Sequence, residues 1–575
     1  MKNALLISTA ITLGICASFA APVNDARADD CLLDRDNDGN VDAGSTDNDG
    51  GADSGNQNDA LACGVGASAT GALGATAIGA NSNASGDAAT AIGQNAIASE
   101  TEAVALGEDT QATGVGSTAL GSGALASGVG SIALGGDILN GGTNAAIASA
   151  SYAIAIGSSA DATFFEAIAI GRNTQSTAVG AIGIGAGADA LSTSSVGIGT
   201  NATVSGSSAI AIGSFSNAES NFSVALGQSA RTLNLGELAL GSGAEANGDG
   251  AVAIGDLTDA ALDGTALGSS AQATAPSSTA LGANTLAIGL SSIAIGESAQ
   301  SNSLATIAIG DGSEATFDGA IGIGDSADAK ADGAIAIGDT SDAFGDGAVA
   351  IGDLADASLG GSVAVGDNAD AFGLEAIAIG SDTDALGVGS VAIGGDGSDI
   401  DGVGAIANTD GATAVGADTE ARALGATALG FGANAFGASS IALGDTAVAT
   451  GEASFALGKK TTASGISAIA IGGDGPVDAD EGGAEATADY ATAIGPDAKA
   501  TGQLSYALGA ISSASGVNST ALGSFANAAG LSSLALGSGA DATANFSSAI
   551  GTGSAASHAA SFALGAGAST TRINQ

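Results

Sequence analysis

The residues best spaced to do chemistry lie near the start of the chain. Asp34, Asp36 and Asp38 alternate and lead into Gly39, Asn40 and Asp42, which matches the first half of a calcium loop. In that reading the three aspartates supply side-chain oxygens, Asn40 its carbonyl, and Asp42 a direct or water-bridged ligand. A second frame follows in Ser45, Asp47, Asp49, Gly50 and Asp53. Ser45 and Asn56 stand where a helix–loop–helix calcium motif would close with glutamate, so that motif is incomplete. A solvated acidic linker is the other reading of the same residues. Cys31 and Cys63 flank the segment, and an even pair in an exported chain is expected to form a disulfide.

Elsewhere the chemistry is thin. His558 is the only histidine and stands in the turn-like Ala556-Ser557-His558-Ala559, which reads as surface; no catalytic residue is assigned. Arg172, Arg231, Lys330 and Arg422 are scattered, unlike the cleft of a polysaccharide-cleaving β-helix. Gly458-Lys459-Lys460-Thr461 fails as a phosphate loop, since Ala453 replaces the leading glycine and no Ser or Thr directly follows Lys459. A net charge of −49 with only 11 Lys and Arg argues against nucleic acid as a partner, because phosphate contacts need cations. With no Trp, and only Tyr152, Tyr490 and Tyr506, a stacking platform for sugars is poorly supplied.

The chain opens with Lys2, an apolar run from Ala4 to Ala21, and Pro22. This is the pattern of a secretory signal, residues 1–28, with cleavage after Ala28 or after Ala20. The run is short for a membrane anchor, and Cys16 leaves with it.

The rest is repetition. Ala348-Val349-Ala350-Ile351-Gly352 recurs almost unchanged, as in Ala77-Ile78-Gly79 and Ala105-Leu106-Gly107, with a step of 14 residues through Ala336, Ala350, Ala364 and Ala378. Roughly 34 copies occur, and no copy can bury its apolar residues alone, so the copies stack. Between Ala336 and Val349 the pattern predicts two short strands, one ending at Gly338 and one over Ser341-Asp342-Ala343-Phe344, with glycine-bearing turns at both corners. Frequent glycine and β-branched residues oppose helix. Two strands per turn, stacked in parallel, make an all-β solenoid, a flattened β-roll over residues 64–568, with an incomplete last coil at 569–575.

The two strands differ. In the second, Ala alternates with Asp, as in Ala327-Asp328-Ala329, which gives one buried and one wet face. The first has no polar side, so both of its faces need cover. Which of Ile and Ala points inward stays open, although Ile351 is expected at a buried position. Either way so much apolar surface requires self-association along the chain. The step from Ala253 to Ala266 is one residue short, which a turn can absorb. Three inserts begin alike, at Gly135-Gly136-Asp137, Gly394-Gly395-Asp396-Gly397 and Gly472-Gly473-Asp474-Gly475. They extend near 136–150, 395–410 and 473–490 and are expected to loop from one edge, where binding surfaces often arise. The acidic Asp478-Ala479-Asp480-Glu481 of the third reads as a solvated loop or a cation site.

The pattern Ala91-Ile92-Gly93-Gln94-Asn95-Ala96-Ile97-Ala98, repeated in Ala428-Leu429-Gly430-Phe431-Gly432-Ala433-Asn434-Ala435, resembles the head repeats of YadA-like trimeric autotransporter adhesins. Leu61-Ala62-Cys63-Gly64 and the Gly-Gly-Asp inserts are also similar to that family. The resemblance implies a left-handed parallel β-roll, a homotrimer, display on a Gram-negative outer membrane or secretion, and adhesion to host matrix proteins, surfaces or other cells. The acidic segment, residues 29–63, resembles thrombospondin-type calcium repeats. No heptad stalk or barrel strands are recognisable, so these residues are expected to make no membrane contact and to be the head of a longer protein. The rival is a secreted structural or ice-binding solenoid. Thr316, Thr340 and Thr383, at unlike places in their coils, argue against an ice-binding threonine ladder.

Overall fold

A computed structural model describes residues 52–54, 59–136, 144–397, 402–475 and 482–570. Every regular element in it is a β-strand, 70 in all, alternating between three residues and two. One coil shows the plan: Ile335–Ile337, a turn, Asp342–Ala343, a second turn, then Val349–Ile351. The second strand is shorter than the Ser341-Asp342-Ala343-Phe344 stretch expected, because the corners take up most of each 14-residue step. Coils stack in parallel and in register, Ala336 opposite Ala350 and Ala343 opposite Ala357. Three-residue strands thus pair with three-residue strands as one kind of ladder, and two-residue strands with two-residue strands as another.

The chain divides into two compact units. The unit ending at Ala246 carries the strands from Leu61–Cys63 to Glu245–Ala246. The unit starting at Asn247 carries those from Val252–Ile254 to Ser569–Thr570. Regular pairing therefore begins before Gly64 and includes the pair after Ala568. Asp53 adds a bridge to Ser68, donating its N–H to Ala67 O at 2.7 Å.

Between the ladders lies a core of small side chains. Ala334, Ala336, Ser341, Ala343 and Ala348 are all fully buried. The ladders pack too close for larger residues, and exceptions are compensated: Val204 is buried where Gly197 faces it, a Cβ on Gly197 lying 3.4 Å from Val204 Cγ2. Some buried hydroxyls are satisfied by the adjoining turn, as where Thr383 Oγ1 donates to Gly380 O at 2.9 Å, whereas others, such as those of Ser131, Ser390 and Ser440, have no hydrogen-bond partner among the described residues.

This settles which face is inside, and it corrects the expectation for Ile351. The central alanine of each three-residue strand is interior, while Ile351 lies on the outer face and is 37% exposed. A side chain that large has no room where Ala350 sits, and successive residues of a strand point to opposite faces.

The corners hold the coil closed. Gly338 has φ of 143°, and a Cβ there would lie 1.9 Å from Gly352 O in the next coil, so glycine is required by backbone approach. Two residues on, Thr340 takes φ of 52° without being glycine, as do Leu354 at 55° and Asn368 at 53°. The glycine expected at this corner is there in Gly338, and a non-glycine residue shares the positive φ. The short step is absorbed at a turn: Gly264 N–H donates to Ala261 O at 2.8 Å, and Val252 stays in register with Thr265.

Candidate binding surfaces

Three surfaces emerge from this plan. The first is the outer face of the three-residue ladder, where Ile335, Ile337, Val349, Ile351, Val363 and Val365 follow one another in register. Each is half-buried or exposed, and Leu429 on the same face is 47% exposed. Threonine interrupts in pairs, Thr76 with Thr90, Thr265 with Thr279 and Thr413 with Thr427, and singly at Thr118, Thr492 and Thr520. These pairs were not recognised from sequence, and each ends at an apolar residue such as Val104 or Ile293. The three threonines weighed earlier do not align: Thr383 is buried, Thr340 sits at a corner, and Thr316 follows the strand Glu314–Ala315.

The second is the outer face of the two-residue ladder. Asp328, Asp342, Asp356, Asp370 and Asp384 stack in register there, one per coil. Lys330 closes one end, its Nζ 2.5 Å from Asp328 Oδ2 and 3.2 Å from Glu314 Oε2. Burial against neighbouring coils, with Asp328 and Asp356 on either side, pushes Asp342 up to about 6. Asp370 is likewise pushed up to about 6, by burial first and then by Asp384 and Asp356. Asp356 and Asp384 are raised by burial too, Asp384 further by Asp382, while the bond that Ser358 Oγ donates to Asp356 at 2.6 Å works in the opposite direction. The face of this strand expected to be wet is therefore half-buried at these aspartates. Other cations also pair along the ladder, Arg422 with Glu420 at 2.8 Å and Lys499 with Glu485 at 3.7 Å.

The third surface is the corner that carries the inserts. All three leave after a three-residue strand and return at a two-residue one, at Ile147, Ile406 and Glu485. Register survives, with Asp384 opposite Ile406 and Thr462 opposite Glu485. A single edge was the expectation; within its own unit, each insert departs at the corner between a three-residue strand and the next two-residue strand. Residues 137–143, 398–401 and 476–481 of the inserts lie outside the described residues, Asp478-Ala479-Asp480-Glu481 among them.

Of the candidate calcium residues, Asp34, Asp36, Asp38, Asn40, Asp42, Asp47 and Asp49 lie outside the described residues. Asp53 is exposed, and its backbone forms the bridge to Ser68. Cys63 is disulfide-bonded; Cys16 and Cys31 both lie outside the described residues. Among the described residues no group of three His, Cys, Asp or Glu side chains is placed to hold a metal ion. His558 is half-buried at a corner, with Ser557 Oγ 3.3 Å from its Nδ1. A buried carboxylate passed over in the sequence, Glu237, caps a turn: its Oε2 accepts Asn234 N–H at 2.7 Å and its Oε1 accepts Asn234 Nδ2 at 3.0 Å.

No curated protein matches the chain. The family model described as the YadA head domain repeat matches residues 72–137, 190–230, 238–258, 261–285, 287–313, 315–369, 371–396, 421–447, 449–474 and 482–554. Matches stop at 137, 396 and 474, where the inserts interrupt the coil. With more than half the chain matched and the coil geometry in agreement, the chain belongs to the YadA head-repeat family, as the head region of a YadA-like trimeric autotransporter adhesin.

Proposed function

We propose that this head works as a homotrimer that attaches the surface of a Gram-negative bacterium to matrix proteins, other surfaces or other cells. The observation that carries the reading is the apolar outer face of the three-residue ladder, with Ile337 and Ile351 half-exposed and in register. Repeated coil after coil, it exceeds the apolar patch a soluble monomer tolerates. Packing three copies through it removes the ladder from water and leaves the acidic ladder and the insert corner facing outward. The family supports attachment as the task of such a surface, and no catalytic residue is proposed. Beads coated with the head should adhere to immobilised matrix proteins or to each other; an inert coat in both assays would sink the reading. The ice-binding rival gains nothing from the threonine pairs, which are two rungs long.

The N-terminal segment enters the same proposal as a calcium-stabilised cap. Its carboxylates at Asp34, Asp36, Asp38, Asp42, Asp47, Asp49 and Asp53 repel one another until a cation neutralises them, and a Cys31–Cys63 bridge would favour the ordered form. Titration calorimetry of the oxidised chain should give heat with calcium that is lost in the Asp36→Ala, Asp38→Ala double variant. No heat in the oxidised form leaves an acidic linker.

A further inference from the structure

Splicing a loop into a β-roll displaces one backbone amide. In an ordinary coil the N–H just ahead of the two-residue strand donates to the carbonyl of the glycine closing the three-residue strand, as Ala447 does to Gly444 O at 3.3 Å. At the inserts this carbonyl is taken by the returning chain: Ala405 donates to Gly394 O at 2.9 Å and Ala484 to Gly472 O at 2.8 Å. The outgoing chain still follows the coil for one residue more. Asp396 donates to Ser381 O at 3.2 Å and Asp474 to Lys459 O at 3.0 Å. The next amide, on Gly397 or Gly475, has lost its ordinary acceptor at the point where the insert departs. An amide shielded from water needs a replacement.

The coil above supplies it in both cases, from the same position. Asp418 Oδ1 accepts Gly397 N–H at 2.8 Å, and Asp497 Oδ1 accepts Gly475 N–H at 3.0 Å. Both aspartates take the left-handed backbone conformation of that corner, φ 55° and 54°. The carboxylate lies so close that a Cβ on Gly397 would be 2.3 Å from Asp418 Oδ2, and one on Gly475 2.3 Å from Asp497 Oδ2. Asp497 is almost wholly buried by this contact. At the first insert the equivalent position is Ser159, which has no carboxylate; its N–H donates to Asn144 O of the returning chain at 2.7 Å, the ordinary coil-to-coil bond of that corner. The returning chain is pinned to the coil below, Gly404 N–H on Asp382 O at 2.9 Å and Gly483 N–H on Lys460 O at 3.0 Å.

We propose that Asp418 and Asp497 are positioning residues that clamp the departing strand of the second and third inserts, fixing where each loop leaves the roll. The glycine after Gly-Gly-Asp is then the other half of the clamp, small because a carboxylate occupies the space of its side chain. The proposal stands apart from adhesion or trimerisation, since each clamp closes within one chain.

Amide hydrogen exchange on the full chain tests it, with limited proteolysis at the third insert as a second readout. Asp497→Ala should speed exchange of the Gly475 amide at least tenfold and hasten cleavage between 476 and 481, while Lys499–Ala500 and Tyr506–Leu508 keep wild-type protection. Asp497→Asn, which keeps an acceptor at Oδ1, should restore slow exchange. Unchanged exchange at Gly475 in the alanine variant would overturn the clamp. So would equal loss of protection in the alanine and asparagine variants, or loss that spreads through the neighbouring coils.

Discussion

Ala350 and Ile351 are consecutive in one strand and point to opposite sides of the roll: Ala350 is fully buried between the ladders, and Ile351 is 37% exposed on the outer face. The smaller residue makes the core of the chain, and the larger one faces outward along the whole ladder.

Substitutions at this pair should therefore separate folding from assembly. Ala350→Leu forces bulk into a core of Ala and Ser and should cost about 1–3 kcal/mol or more. Ile351→Ser should change the unfolding of an isolated chain by under about 1 kcal/mol, since the side chain is only partly covered there. Several such changes along the ladder, at Ile337, Ile351 and Val365, should shift the protein toward monomer. Chemical unfolding and analytical ultracentrifugation read the two effects. Loss of fold in the Ile351 variant with an unaffected Ala350 variant would invert the assignment of faces.

The corners make a second pair. Gly338→Ala meets backbone at 1.9 Å and a φ of 143°, whereas Gly347 has φ of 64° and open space around it. Gly347→Ala should cost about 1–2 kcal/mol, the price of left-handed backbone for an L-residue. Gly338→Ala should cost clearly more, because a coil must move as well. Thermal melts of the two variants decide.

The aspartate ladder predicts acid stabilisation. Asp342 and Asp370 are raised to about 6 in the folded chain from an ordinary 3.8. Folding thus takes up protons between those values, so stability is lowest above pH 6, rises as pH falls toward about 4, and is flat below. The charged groups facing the ladder are Glu314, Lys330 and Asp382, and Lys330 offsets the repulsion only at the Asp328 end. Asp342→Asn should stabilise the chain at pH 7.5 by about 0.5–1 kcal/mol after solvent screening, and change little at pH 4. Unfolding curves at the two pH values check this; greater stability at pH 7.5 than at pH 5 in this stretch would contradict it.

The period, the two strands and the corner that takes the inserts were legible in the sequence because each follows from spacing. Ala alternating with Asp in Asp342–Ala343 named its own buried face. Val349–Ile351 could not, since both its faces are apolar and the width of the coil interior is a property of the stacked ladders rather than of any one repeat. The half-buried state of Asp342 was hidden for the same reason: it depends on Asp328 and Asp356 in adjacent coils. Thr340 and Leu354 were unreadable as left-handed corners because such residues seldom adopt that backbone. Asp418 and Asp497 looked like any surface aspartate, and only the path of the insert below each one reveals what its carboxylate holds.

The central claim is that the apolar outer ladder is the surface through which copies of the chain associate. Its most direct test is the mass of the folded protein in solution, measured by light scattering as it elutes from a sizing column. The account predicts three times the 52.9 kDa of the chain, less any leader removed, holding on dilution to nanomolar concentration. A folded species with the mass of one chain would contradict it.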